Sequence, residues 1–475
     1  MKKCVVFVLL LVAFKLSFSQ QYFDTLQLRK SLAFMADDDK MGRLPDSEGS
    51  NAVAKFIVDE FKQAGLKLLC DEGYQHFTYY KGWKMGDTNA AVFDGRQLQC
   101  FVDYAPACYF NTLKAELEAD VVVVGNGKNV DWTKCEGKWV MMIPDVDDRH
   151  PSLARNAIRN GAGGVIIVDT ATMPQYDYYN ALGISANKVM TLGPVVKISE
   201  ATAARVLEKA NMNINKLRVM VQIDKDIVLP LNITFEATTN FYRNVVNAKN
   251  VVALLEGSDP TLKNEYIVIG AHYDHVGYVE KVSAKTGKLR TYIYNGADDN
   301  ASGTVGMVEL AKKYASQEVR PKRSLIFVAF DAEEEGLLGS DNFFDQCIAI
   351  DTSMVKAMVN LDMIGRYNPE KGLKILGANT SKEGLKLIEK LTKNADIKVR
   401  CMQNELFFAS SDHFNFYKYD IPVFFFNTDT HKDYHRVSDE VQKIDFKHMQ
   451  QILQIADELI NDLANRKKNL RYVKL

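Results

Sequence analysis

EYIVIGAHYDHVGYV, residues 265–279, joins a short apolar run to two histidines and an aspartate packed within four positions. The run has the length and β-branched content of a single strand, and its polar residues begin where such a strand should end. His272 and Asp274 lie two apart, so an extended chain sends both side chains to the same face. Three readings suit such a cluster: ordinary structural polarity, a general base with its orienting acid, or the first part of a metal site.

Working outward, the runs SLIFVAF, AMVNLDMIG, LKILGA and IPVFFFN alternate with helical stretches such as GTVGMVELAKKYASQ. This alternation predicts an α/β sheet, and open α/β sheets gather their functional groups at the C-terminal edge of the strands. NGADDNASGT places Asp298 and Asp299 before a Ser302-Gly303 turn, where isolated acids read as helix caps. DAEEEGLLGS puts Glu333, Glu334 and Glu335 at the exit of SLIFVAF. Adjacent acids in a surface turn are usually solvated, but these follow a wholly apolar strand at the same edge as His272. Asp362 stands after AMVNL, where a buried carboxylate needs a partner, and DYHRVSDE supplies His435. His76, His150, His431 and His448 have no comparable partners and read as satisfied surface or core residues.

Two histidines with at least three carboxylates exceed what one acid/base dyad requires. They suit two cations sharing a bridging carboxylate, with the metals roughly 3.5 to 4 Å apart. Mixed histidine and carboxylate donors favour zinc, and manganese or cobalt would also fit. One carboxylate must stay off the metals to accept a proton from water, which accounts for an adjacent Glu-Glu pair.

GAHYDHVG, NGADDNASG, DAEEEGLLGS, NLDMIGR, SSDHFNFYKYDIPVF and DYHRVSD occur in the order of peptidase family M28, so residues 248–475 resemble its co-catalytic zinc aminopeptidases. The resemblance implies an α/β fold of the zinc-exopeptidase, phosphorylase/hydrolase-like kind, a mixed central sheet flanked by helices. It implies two zinc ions per chain, one held by His272, Asp299 and Asp362 and the other by Asp299, Glu334 and His435. Glu333 would be the general base, Asp274 the acid orienting His272, and Tyr434 an oxyanion donor. The implied activity is removal of N-terminal residues from peptides. A carboxypeptidase or dipeptidase, a glutaminyl cyclase and a non-enzymatic binding protein are the rival readings. Residues 100–231, with ADVVVVGNG, GKWVMMI and NAIRNGAGGVIIV, resemble a smaller β-rich protease-associated domain inserted between peptidase segments 20–99 and 232–475.

A chain of 475 residues exceeds the roughly 250 to 300 at which one core stops growing, so more than one domain is expected. Hydrophobic residues at 47% and charged residues at 25% are those of a globular protein. With 59 basic against 60 acidic residues, nothing in the charge argues for nucleic acid or an anionic membrane as partner. Lys2 and Lys3 precede an apolar block from Val5 to Phe14, with Ser17 and Ser19 near its end. This reads as a signal peptide over residues 1–19, too short for the roughly 20 apolar residues of a membrane span. The expectation is an exported protein, periplasmic or extracellular. Cys70, Cys100, Cys108, Cys135, Cys347 and Cys401 form no close CxxC pair, leaving disulfides and free buried thiols equally open.

Overall fold

The computed structural model describes residues 23–475 apart from 110–112, 129, 145–149, 170–192, 224–226, 283–287, 346–349 and 403–408. The expected signal segment, 1–19, lies outside the described residues. No helix among them is long and apolar enough to cross a membrane. The chain divides into two compact units, one joining the residues up to Thr78 with Asn247–Leu475, the other being Tyr79–Val246.

The second unit is larger than the expected insert, 100–231, at both ends. The reason is strand pairing. Ala90–Phe93 runs antiparallel to Leu229–Leu255 with Phe93 opposite Phe235, and both phenylalanines enter the core of this unit. Lys114–Val123, Trp139–Met142, Gly164–Asp169 and Val195–Ser199 form its parallel centre. Val121 and Val123 face one apolar layer and Val122 and Val124 the other, so both sides of this sheet are covered. Among the described residues of this unit, no group of three or more His, Cys, Asp or Glu could hold a metal ion.

The first unit has the expected mixed sheet. Its main strands are β1 (the part of Leu229–Leu255 from Asn247 onward), β2 (Tyr266–His272), β3 (Ser324–Phe330), β4 (Val355–Leu361), β5 (Leu373–Leu376), β6 (Val399–Met402) and β7 (Val423–Asn427), in spatial order β6-β5-β7-β4-β2-β3-β1. β3, β2, β4 and β7 are mutually parallel, whereas β1 and β5 pair antiparallel at the two flanks. Side chains alternate along each strand. Ile267, Ile269, Ala271, Leu325 and Phe327 face one core, with Val53, Ile57 and Phe61 of α2 (Glu48–Gln63) and Met449 and Ile452 of α5 (Phe446–Asn465). Leu28 of α1 (Thr25–Met35), Val305 of α3 (Gly303–Ala315) and Leu387 of α4 (Gly384–Thr392) join this layer. Val268, Ile326 and Val328 face the other core, with Phe330, Phe343 and Phe416. Burial on both faces is why the central strands read as continuous apolar runs rather than alternating ones. Truncating one such ring, as in Phe327→Ala, costs about 3–5 kcal/mol.

Register decides where the polar residues meet. His272 pairs with Phe330, so the acidic turn of residues 331–335 begins one step beyond the histidine. Gly270 pairs with Asn360, and two residues further along both strands come His272 and Asp362. Three parallel strands therefore deliver their functional residues to one edge.

Candidate metal centre

Each functional side chain arrives by a different local device. The segment Ala297–Ser302 is wholly buried, and Ser302 makes no side-chain cap. Asp298 and Asp299 are not helix caps, contrary to their reading in isolation. Asp298 Oδ1 accepts hydrogen bonds from the Gly365 backbone N–H at 2.7 Å and from Ser302 Oγ at 3.0 Å. Asn300 donates to the Leu361 carbonyl at 3.0 Å and accepts from the Met363 N–H at 3.1 Å. These bonds tie the segment carrying Asp299 to the end of β4 that carries Asp362.

Arg43, from the DDDKMGR stretch, is buried beneath this segment. Its guanidinium donates to the carbonyls of Met35, Tyr273, Asn295, Gly296 and Asp299. Burial lowers its pKa to about 10, against the opposing pull of Asp299 and Asp274, and it stays charged at neutral pH. The preceding Gly42 takes φ +68°, and a Cβ there would lie 2.1 Å from the Gly277 carbonyl oxygen, so glycine is required at this approach.

The turn after β3 is held from Asp274. Its Oδ1 accepts the backbone N–H of Glu333 at 3.0 Å and its Oδ2 that of Glu334 at 3.3 Å. The expected partner, His272, meets Asp274 mainly through the backbone: His272 Nδ1 is 3.2 Å from the Asp274 carbonyl oxygen and 3.6 Å from Oδ1. The His435 loop is pinned by Asp433, which accepts from Arg366 at 3.1 Å and Lys443 at 2.8 Å. His431 also has a partner, contrary to the sequence reading, for its Nε2 lies 3.1 Å from Asp298 Oδ2.

These devices bring His272, Asp299, Glu333, Glu334, Asp362 and His435 together. His272 Nε2 is 3.4 Å from Asp299 Oδ1 and 3.6 Å from Asp362 Oδ1. On the other side, His435 Nε2 is 3.1 Å from both Asp299 Oδ2 and Glu334 Oε2. Glu333 Oε2 stands back at 4.0 Å from His272 Nε2. Donor atoms sharing one zinc at roughly 2.0–2.2 Å in tetrahedral geometry lie about 3.4 Å from one another, close to these separations. Asp299 Oδ2, Asp362 Oδ1 and His435 Nε2 are buried and make no hydrogen bond among the described residues. Orphaned lone pairs of this kind are costly unless a cation takes them up. The residues present therefore fit a pair of metal ions.

The electrostatics separate the carboxylates. Burial alone would raise Asp299, yet His272, His275 and His435 hold it well below the ordinary carboxylate range. Burial raises Glu333 well above that range, reinforced by Asp412 and Asp362 against the pull of His272. Asp412, of the SSDHF motif, is fully buried, and burial pushes its carboxyl up to about 7. The sequence reading assigned it no role. Tyr434 stacks on His435 at 3.9 Å between ring centroids, and burial followed by the nearby carboxylates raises its hydroxyl.

A cavity of about 310 Å³ opens from the centre, with Met363, Leu376 and Phe425 as apolar walls beside Tyr434. Lys374 and Asp429, paired at 2.7 Å, also line it. Phe414 and Tyr417, weighed from sequence as pocket or core, pack partly against the second core layer. Phe407 lies outside the described residues.

His275 went unassigned in the sequence reading. Its ring is buried, with Nδ1 at 2.7 Å from Glu334 Oε1 and 3.8 Å from Asp299 Oδ2.

Fold and site together suit a metal-dependent hydrolase built on a mixed α/β sheet. The family model for peptidase family M28 matches residues 250–460. The uncharacterized protein YfbL of Escherichia coli (strain K12) is 30% identical over 247 residues, which cover 46% of this chain and 71% of that one. A probable leucine aminopeptidase of Trichophyton verrucosum is 29% identical over 235 residues, 47% of this chain and 58% of that one, so this chain spans under two thirds of the fungal relative. Among solved structures, the fold is similar to BSAP, a zinc aminopeptidase from Bacillus subtilis, at a TM-score of 0.52 and 20% identity, covering 94% of this chain and 96% of that one. It is equally similar to an aminopeptidase from Aneurinibacillus sp. strain AM-1, at a TM-score of 0.52 and 19% identity, covering 95% of each chain. The chain belongs to peptidase family M28, and it is a metal-dependent peptide hydrolase.

Proposed function

We propose that this protein removes N-terminal residues from peptides, using two zinc ions and Glu333 as general base. The observation that supports it most is the division of Asp299 between two donor groups, Oδ1 toward His272 and Oδ2 toward His435. His272, Asp299 and Asp362 would hold one ion, and Asp299, Glu334 and His435 the other. Bound there, the pair supplies Lewis-acid polarisation of the scissile carbonyl and a water that ionises near neutral pH.

The chain does the rest. Glu333 takes the proton of the attacking water on its carboxylate and returns it to the leaving amine, a role suited to a buried carboxyl with a raised pKa. Asp274 fixes the Glu333 backbone, and Tyr434 at the cavity wall is positioned to steady the developing oxyanion. The apolar walls Met363, Leu376 and Phe425 suit an apolar side chain at the terminal residue. The names of the fungal and bacterial aminopeptidases support the amino terminus as the end attacked.

Export to the periplasm or the extracellular space belongs to the same proposal, supported by the Lys2-Lys3 and Val5 to Phe14 pattern and by Cys70 being disulfide-bonded. So does a protease-associated identity for the insert, supported by its sequence runs. The test is metal analysis of the purified protein with a panel of free and N-blocked peptides and aminoacyl amides. Two zinc equivalents with cleavage confined to free amino termini are expected. Equal cleavage of N-blocked peptides would overturn the aminopeptidase reading.

A further inference from the structure

His275 has no place in the ligand set that family resemblance implies, yet it is buried against it. Its Nδ1 lies 2.7 Å from Glu334 Oε1, while the other oxygen of the same carboxylate, Oε2, lies 3.1 Å from His435 Nε2. The two imidazoles thus meet opposite oxygens of Glu334, packed edge to face with ring centroids 5.5 Å apart. We infer that His275 is a positioning residue of the second metal site, whose Nδ1–H holds Oε1 of Glu334 and so turns Oε2 toward Asp299 and His435. The inference rests on the two-metal reading above.

Geometry distinguishes holding from ligation. Two atoms bound to one zinc at roughly 2.0–2.2 Å sit about 3.4 Å apart at the tetrahedral angle. At 2.7 Å, the Nδ1 and Oε1 atoms are too close for that and have the separation of a charge-assisted hydrogen bond. In a hydrogen bond of this length Nδ1 donates and the carboxylate oxygen accepts, so this ring atom serves Glu334 rather than a metal. Nδ1 is the atom through which the ring meets Glu334 and Asp299.

The ring's position is built in. Gly296 adopts φ +55°, and a Cβ there would come within 2.5 Å of His275 Cδ2 and 2.7 Å of Cγ, so the absence of a side chain makes room for the imidazole. The His275 backbone N–H donates to the Arg43 carbonyl at 3.2 Å. Asp274 accepts the Glu334 backbone N–H at 3.3 Å, so two consecutive residues grip Glu334 at its backbone and at its carboxylate.

The experiment is zinc titration calorimetry on chelator-stripped full-length protein, with circular dichroism as the check on folding, for wild type, His275→Ala and His275→Asn. Wild type should bind two equivalents; if it binds none, the two-metal reading fails and this inference with it. His275→Ala should keep one site at native affinity and weaken the other by about 10–100-fold, the usual effect of losing a partner that orients a ligand. His275→Asn places an amide N–H close to the former Nδ1–H and should restore most of that loss. Should the Ala variant fail to fold, the Asn variant decides alone, because near-native affinity at both sites requires only the donor. Native affinity at both sites in His275→Ala, or an Asn variant that has lost the second site, overturns the inference.

Discussion

Asp274 accepts the backbone N–H groups of Glu333 and Glu334 on its two carboxylate oxygens, so one buried acid sets the path of the turn that carries both glutamates. Asp274→Asn keeps the volume but replaces one acceptor with a donor that faces an N–H. The turn should shift, and kcat should fall by about 10–100-fold together with metal affinity, as for other groups that orient ligands. Steady-state kinetics and metal analysis of this variant check it. Native kinetics would mean that the turn is held elsewhere.

Arg43 gives a stability prediction. Its guanidinium donates to five carbonyls from three segments, and Arg43→Ala would withdraw that donor from all five. The expected loss is about 3–5 kcal/mol, read as a fall of roughly 10 °C in Tm. Lysine keeps the charge but cannot reproduce the planar fork, so Arg43→Lys should recover less than half. A thermal melt that moves by only a degree or two in Arg43→Ala would remove Arg43 from the framework of the site.

Metal removal should act on stability as well as on rate. Asp299, Glu333, Glu334 and Asp362 crowd one buried edge, and their mutual repulsion is offset in part by the histidines. A ligand that binds the folded state alone stabilises it in proportion to the logarithm of its concentration over Kd. Chelator-stripped protein should therefore melt at lower temperature and regain both Tm and activity as zinc is added. Activity surviving complete metal removal would rule out the mechanism.

The central strands were legible because burial on both faces leaves an unbroken apolar signature, and the acids stood out because they interrupt it at one end. His275 escaped for a specific reason. Strand alternation sends residues 272 and 274 to one face and 275 to the other, but the strand ends at His272. Beyond it the chain is held by Arg43 and turns at Gly277, so alternation no longer applies. The same turn leads into the hairpin Tyr278–Val282 and Leu289–Ile293, which separates His275 from Asp299 in sequence while the fold brings them together. The compact unit Tyr79–Val246 runs past 100–231 at both ends, and the strand pairing that extends it, Phe93 with Phe235, joins residues far apart and leaves no local mark. Asp298 read as a cap because its partners, Gly365 and His431, also lie far off in sequence.

The adjacent pair Glu333 and Glu334 offers the most discriminating test, because neighbours in one turn are assigned different work. Glu334 Oε2 lies 3.1 Å from His435 Nε2 in the arrangement of a shared ligand site, whereas Glu333 Oε2 stands 4.0 Å from His272 Nε2, and burial raises its carboxyl toward the range of a proton acceptor. Glu333→Ala should therefore bind both metals and keep its fold while kcat falls by roughly a hundredfold or more, the scale of a positioned proton-transfer group. On the proposed assignment Glu334→Ala removes a ligand, so one site should empty and the loss of rate should track the loss of metal. Were the DAEEEG turn only a solvated acidic loop, both changes would be nearly silent, as most surface substitutions are. Zinc stoichiometry and kcat measured in parallel separate the three cases. Full metal content in Glu334→Ala, or near-native turnover in Glu333→Ala, would reverse the assignment.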